Sequence, residues 1–232
     1  MKETIYTIPI NEAFEERCGC PLCRLQRKTE EKSLDYIMGA AMMEPDVREE
    51  TNKKGFCQTH YTAMLAMKNR LSLALTMESR LGTLVSQVKD MAARGTSGWG
   101  EDKQVTALAK GVQTCFVCER IADVMEPYYR NLLDMWRTEE DFRKLFSEQT
   151  GFCMPHYGQL IERAAKAFPK KTASAFIKSL SELQLAALEK GLADVSGFCK
   201  SFDYRYRGEP FEKEAVEHAA ALLSGLEIPE KE

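Results

Sequence analysis

Apolar residues along this chain recur mostly at three- and four-residue intervals, and no run shows sustained alternation. Leu22, Leu25, Ile37, Met38 and Ala41 predict a helix over Pro21–Met42. Pro45 suits the first position of a short helix that Gly55 ends. From Cys57 to Arg94 the residues Met64, Leu65, Leu71, Leu75, Leu81, Leu84, Val85 and Val88 keep helical spacing, with one break expected near Asn69. Gly95–Gly100 (GTSGWG) reads as a linker, since three glycines in six residues oppose helix and strand alike. A second stretch repeats the plan. Thr138 is the expected N-cap of a short helix, Gly151 its stop, and Pro169 separates the next helix from a long one over Lys171–Ser196. The expected fold class is all-α.

The cysteines divide the chain in the same way. Cys20-Pro21-Leu22-Cys23 is followed after 33 residues by Cys57-Gln58-Thr59-His60, and Cys115-Phe116-Val117-Cys118 after 34 by Cys153-Met154-Pro155-His156. The heptapeptides GFCQTHY (55–61) and GFCMPHY (151–157) agree at five of seven positions. A fixed offset of 95 to 96 residues marks a duplicated unit. The expected division is therefore a first CxxC/GFCxxH unit over 1–96, a second over 97–200, and a C-terminal segment with a helix over 201–232.

Six of the eight cysteines and two of the three histidines lie in these motifs. Zn²⁺ takes four nitrogen and sulfur ligands in a tetrahedron, and Cys₃His is one of its closed sets. Positions i and i+3 of a helix share a face, so a CxxH pair in a first turn aims sulfur and imidazole the same way. The helix N-terminus adds a positive dipole end that favours thiolate. The nearest grouping in sequence gives one site of Cys20, Cys23, Cys57 and His60 and another of Cys115, Cys118, Cys153 and His156, so two zinc ions per chain. An iron–sulfur cluster is the alternative cofactor, and Cys18 offers the first site a fifth sulfur, although Gln113 stands at the matching place in the second copy. A thiol–disulfide pair at CPLC leaves Cys57 and His60 without a role. Four protein ligands leave no open position, which points to structural sites and a binding module. The enzymatic alternative is a zinc-activated thiolate, and a redox sensor is the third reading.

Other groups carry weaker signals. Asp46 with Arg48 and Asp141 with Arg143 recur ahead of each GFCxxH, as structural ion pairs or as anion-binding groups. Tyr204, Arg205 and Arg207 in the segment FDYRYR could hold a small anionic ligand or a protein partner, or simply pair with surface acids. Seven methionines between Met38 and Met91 read as adaptable packing rather than as copper ligands. Cys199, in a third Gly-Phe-Cys with Phe202 where a histidine would follow, reads as a free thiol, and His218 as an ordinary helix residue.

Charge and composition narrow the classes. A net charge of −3, from 32 basic and 35 acidic residues, gives no field for general nucleic-acid binding. No apolar run is long enough for a membrane span, and Met1–Ile10 lacks the apolar core of an export signal, so a cytoplasmic location is expected. Eight cysteines in a reducing compartment again favour metal over disulfides.

The segments IYTIPINEAF, CPLCRL, MGAAMMEPDVREETNKKGFC and FDYRYR together resemble an uncharacterised bacterial family, a domain of unknown function, along essentially the whole chain. Members sometimes carry the label "ABC transporter substrate-binding protein". The sequence has no export signal or lipoprotein cysteine at its start, so that label is not carried over. The resemblance implies no reaction and no catalytic residue.

Overall fold

A computed structural model describes residues 4–17, 19–94 and 113–225. Cys18 and the linker expected over 95–100 lie outside the described residues. Among the described residues there are ten α-helices, two short 3-10 turns and no strand. The helices are α1 (Thr7–Glu15), α2 (Pro21–Met38), α3 (Pro45–Lys54), α4 (Gln58–Ala66), α5 (Arg70–Arg94), α6 (Phe116–Thr138), α7 (Glu140–Ser147), α8 (Met154–Ala167), α9 (Lys170–Lys200) and α10 (Ala215–Ser224). No helix is long and apolar enough to cross a membrane.

Most boundaries follow local chemistry. Gly39 stops α2 four residues early and turns the chain into a 3-10 segment, Ala40–Met43. Pro45 opens α3, and Gly55 closes it at φ 63°, a left-handed angle that glycine adopts without strain. Residues 67–69 separate α4 from α5, next to the expected break. Thr138 does not cap α7. It is the last residue of α6, its hydroxyl donates to the Asp134 carbonyl at 2.8 Å, and Glu139 stands at the N-cap. A threonine can bond its own helix four residues back as readily as it caps the next one.

The chain packs as two compact units, and one is inserted in the sequence of the other. One comprises Met1–Arg27 with Met125–Glu232, and the other Lys28–Val124. The first has an aromatic core. Phe14, Phe142, Phe146, Phe152 and Phe176 are fully buried, with ring centroids 5.2 Å apart for Phe14–Phe142, 5.4 Å for Phe146–Phe152 and 5.7 Å for Phe146–Phe176. Buried Gln184 of α9 pairs with one backbone group on each side: it accepts from the Phe152 N–H at 3.0 Å and donates to the Phe152 carbonyl at 2.9 Å. That amide satisfies the loop that enters α8 where no ladder could.

The second unit is packed with smaller and softer residues. Its core is Leu34, Ile37, Met38, Phe56, Met64, Leu73 and Val117, with Ser33, Thr51, Ser72, Thr76 and Arg80 buried beside them. Of its seven methionines only Met38 and Met64 are buried. The Arg80 guanidinium donates to the Asn52 carbonyl, one of those that α3 leaves open at its C-terminus.

Candidate metal centres

Each Cys-x-x pair begins at a helix start. The carbonyls of Cys20, Cys57, Cys115 and Cys153 accept from the backbone N–H four residues on, at 3.3, 3.0, 3.1 and 2.9 Å. The first cysteine of each motif thus stands at an N-cap, and the second ligand, Cys23, His60, Cys118 or His156, lies three residues on in the first turn. Four helix N-termini therefore point their free N–H groups at four ligand pairs.

The pairs meet across the two copies, not within them. Cys20 and Cys23 lie with Cys153 and His156, and Cys57 and His60 lie with Cys115 and Cys118, each set of four ligand atoms within 4.8 Å of one another. This corrects the grouping by sequence neighbourhood. The reason is helix length. At about 1.5 Å per residue, α2 from Cys23 to its end at Met38 carries the chain about 22 Å. The ten residues of α3 return only about 15 Å. In the second copy α6 runs for 23 residues and α7 returns for eight. So unequal an out-and-back path disfavours closure of a CxxC at the start of such a helix on the CxxH that follows it. The set Cys20, Cys23, Cys153 and His156 falls wholly in the first compact unit, and the set Cys57, His60, Cys115 and Cys118 wholly in the second. They are called the outer and inner sites below, after their positions along the chain.

Both have the dimensions of a single four-coordinate ion. Bond lengths of about 2.3 Å to sulfur and 2.0–2.1 Å to nitrogen give tetrahedral edges of about 3.8 Å between sulfurs and about 3.6 Å between sulfur and nitrogen. In the outer site Cys23 and Cys153 sulfurs are 3.4 Å apart, and His156 Nδ1 lies 3.5, 3.3 and 3.1 Å from the sulfurs of Cys20, Cys23 and Cys153. In the inner site Cys57 and Cys118 sulfurs are 3.9 Å apart, and His60 Nδ1 lies 3.1, 3.2 and 3.4 Å from Cys57, Cys115 and Cys118.

The far nitrogen of each imidazole fixes its tautomer. His60 Nε2–H donates to the Glu30 carboxylate at 3.0 Å, and His156 Nε2–H to the Gln26 side-chain oxygen at 3.1 Å. Such partners orient a ligating histidine and raise its basicity. Both belong to α2, one helical turn apart. Sequence reasoning missed them, because Glu30 stands seven residues beyond a cysteine pair that belongs to the other site.

Without metal the ligands share protons. The Cys115 sulfur beside His60 raises that imidazole to about 9. Burial works against ionisation of Cys115, but hydrogen bonds from His60 and from the Cys118 and Cys57 backbone N–H groups bring it down to about 6. Burial and the neighbouring Cys115 sulfur push Cys118 up to about 12. In the outer site burial opposes charge on His156, yet Cys153 and Cys20 raise it to about 9. Burial of Cys20 is outweighed by hydrogen bonds with Cys153, Cys23 and His156, which lower it far below its ordinary value, while Cys153 and Cys20 raise Cys23.

Exposure separates the two sites. In the outer one Cys153 is 2% exposed, Cys20 and Cys23 are half-buried, and the end of α10 covers the sulfurs. Gly225, at φ 75°, brings its carbonyl to 3.9 Å from the Cys23 sulfur. A Cβ there would lie 3.2 Å from the sulfur of Cys153 and 3.3 Å from that of Cys23. In the inner site Cys115 and His60 are buried, Cys57 is half-buried and Cys118 is exposed. None of the seven described cysteines is in a disulfide.

The other candidate residues stand apart from these centres. Asp46 and Asp141 sit in the first turns of α3 and α7, where a carboxylate favours the dipole. Their partners in the motif do not pair with them. Arg48 donates to the Met42 carbonyl at 3.2 Å, and Arg143 to the Trp136 and Arg137 carbonyls at 3.2 and 3.0 Å, so each arginine closes the end of the preceding element. Arg205 makes a forked pair with Asp203, Nη2 to Oδ2 at 2.6 Å, and Arg207 is exposed. Phe202 and Tyr204 are 80% and 85% exposed.

Over residues 1–229 the chain matches a family of unknown function (DUF6062). No curated protein and no solved structure matches it.

Proposed function

We propose that this chain, which belongs to the DUF6062 family, is a cytoplasmic protein whose two helical units are each held by a structural Zn²⁺, and that it works as an interaction module. The observation that carries the reading is the complete Cys₃His set in each unit, with ligand edges of single-ion size. Three thiolates and an imidazole leave an ion with a net charge of about −1, which two helix N-termini per site offset. An iron–sulfur cluster places two or more irons between its sulfurs and needs ligands spread wider than one ion does. Four protein ligands also fill the coordination sphere, which favours a structural role over Lewis-acid chemistry. Seven unpaired cysteines suit a reducing compartment.

The interaction reading rests on the surface around Phe202, Tyr204, Arg205 and Arg207. Exposed aromatic and arginine side chains side by side are the composition of binding hot spots, and the partner favoured is a protein or a small anionic ligand. Elemental analysis of purified protein tests the metal reading. Two equivalents of zinc are expected, with loss of helical signal on chelation, and stoichiometric iron with acid-labile sulfide would overturn it. The surface is tested by comparing proteins captured from a lysate by the wild type and by a Phe202→Ser, Tyr204→Ser, Arg207→Ala variant. Identical capture, or none by either, removes the interaction reading.

A further inference from the structure

The outer and inner sites share ligand set, spacing and helix geometry, but only the inner one has a fully exposed cysteine. Cys118 combines three properties: it is exposed, it stands in the first turn of α6, and its sulfur lies 3.9 Å from that of half-buried Cys57. An accessible thiolate beside a second cysteine is the arrangement that small oxidants exploit, one sulfur taking the oxygen and the other resolving it. The outer site has its own close pair, Cys23 and Cys153 at 3.4 Å. There Cys153 is buried, Cys23 is half-buried and Gly225 sits against both sulfurs, so an oxidant reaches that pair less readily.

We propose that the inner site is an oxidative modification site, at which a hydroperoxide oxidises Cys118 and thereby releases the metal, while the more covered outer site keeps its own longer. This rests on the reading of both clusters as metal sites. The Cys118 thiolate attacks the terminal peroxide oxygen. An S–O bond forms, the O–O bond breaks, and alkoxide or hydroxide leaves and takes a proton from water. The sulfur loses two electrons and the peroxide gains them. The Cys57 thiolate then attacks the sulfenic sulfur, forming the Cys57–Cys118 disulfide and expelling hydroxide. Only Cys115 and His60 remain as ligands, and two ligands do not retain the ion. A thiol reductant reverses the reaction and restores the site.

The test uses the zinc-loaded full chain with hydrogen peroxide. Released zinc is followed with a chromogenic chelator, and cysteines are mapped by peptide mass spectrometry after alkylation. Expected is loss of one equivalent on the order of tenfold faster than the second, together with the Cys57–Cys118 disulfide. Dithiothreitol plus zinc should return the lost equivalent. Cys199, exposed and outside both clusters, oxidises without releasing metal. Because Cys118→Ser alone can cost the site its ion, a Cys199→Ser variant serves as the companion, and its zinc release should equal that of the wild type. Release of both equivalents at one rate, outer zinc first, or inner zinc without that disulfide overturns the proposal and leaves the metal reading standing. Protein that holds no zinc before treatment overturns both.

Discussion

The inner and outer sites are the same motif built twice, and the difference between them comes from an element outside the repeat. Each has two helix N-termini, three cysteines, a histidine with Nδ1 turned to the sulfurs and a partner on Nε2. The outer site is then closed by α10, which packs on α8 and α9 and ends with Gly225 against two sulfurs. Nothing among the described residues closes over Cys118. Coordination geometry is thus set by local motif, and access by what the rest of the chain lays on top.

The largest expected effect tests whether the pairing is exchanged between copies. A Cys23→Ala, Cys153→Ala double variant removes two ligands of one site and should retain one zinc. A Cys23→Ala, Cys57→Ala variant damages both sites and should retain none. Pairing within copies reverses these two counts, and elemental analysis decides. A structural zinc contributes about 10–16 kcal/mol of binding free energy to folding, so the second variant should also lose most of its helical signal.

Acidification should separate the sites next. At about pH 7.5 His60, raised to about 9, and Cys118, raised to about 12, each hold a proton that metal must displace, whereas Cys115 at about 6 is already ionised. The protons on His60 and Cys118 must leave when metal binds, so inner-site affinity falls on acidification. Below about pH 6 Cys115 takes up a third proton and the slope steepens. In the outer site His156 and Cys23 are likewise raised, while Cys20 is lowered far below its ordinary value. Zinc should therefore leave the inner site first between about pH 6 and 5, as a chelator competition series would record. Equal slopes for both ions would contradict this.

The partners of the imidazoles give a smaller difference. Removing one costs a metal site typically 10–100-fold in affinity. Glu30→Ala removes a carboxylate and Gln26→Ala only a neutral amide, so the first should fall near the top of that range and the second near the bottom. Chelator titration of each variant is the measurement, and an equal loss would mean that charge on the partner does not matter. Smallest is Gly225→Val. A branched side chain at φ 75° against two sulfurs should cost about 1–3 kcal/mol. Its useful readout is faster outer-site oxidation, which would bring the outer site closer to the inner one.

Much of this was legible in the residues. The helical class followed from apolar spacing, the ends at Pro45 and Gly55 from backbone chemistry, and the eight clustered cysteines and histidines from duplicated motifs. The partition of those ligands was not legible from spacing alone. It depends on how far α2 and α6 carry the chain against how little α3 and α7 bring back, and a shift of Gly39 by a turn would change that. Glu30, Gln26, Gln184 and Gly225 were invisible because each acts on residues distant in sequence, and neither an amide nor a glycine announces its partner. The Asp-x-Arg repeat predicts an ion pair or an anion-binding pair, yet its arginines bond carbonyls of the preceding elements. Local repetition identified residues that matter but not what they touch.

The order in which ligands emerge during synthesis sets a hazard for this chain. By the time His60 has left the ribosome, Cys20, Cys23, Cys57 and His60 form a full set of four donors, although the folded protein never groups them. The true partners of Cys57 and His60, Cys115 and Cys118, arrive 55 and 58 residues after His60, about 3–11 s later at 5–20 residues per second. Cys20 and Cys23 wait longer, for Cys153 and His156. A zinc ion captured early would tie the wrong pairs together and would have to be surrendered before either unit could close. Growth of α2 works against that capture, because it sets Cys20 and Cys23 at the start of a stiff helix of 18 residues, and so the longest early element protects the ligand pairs until their partners exist.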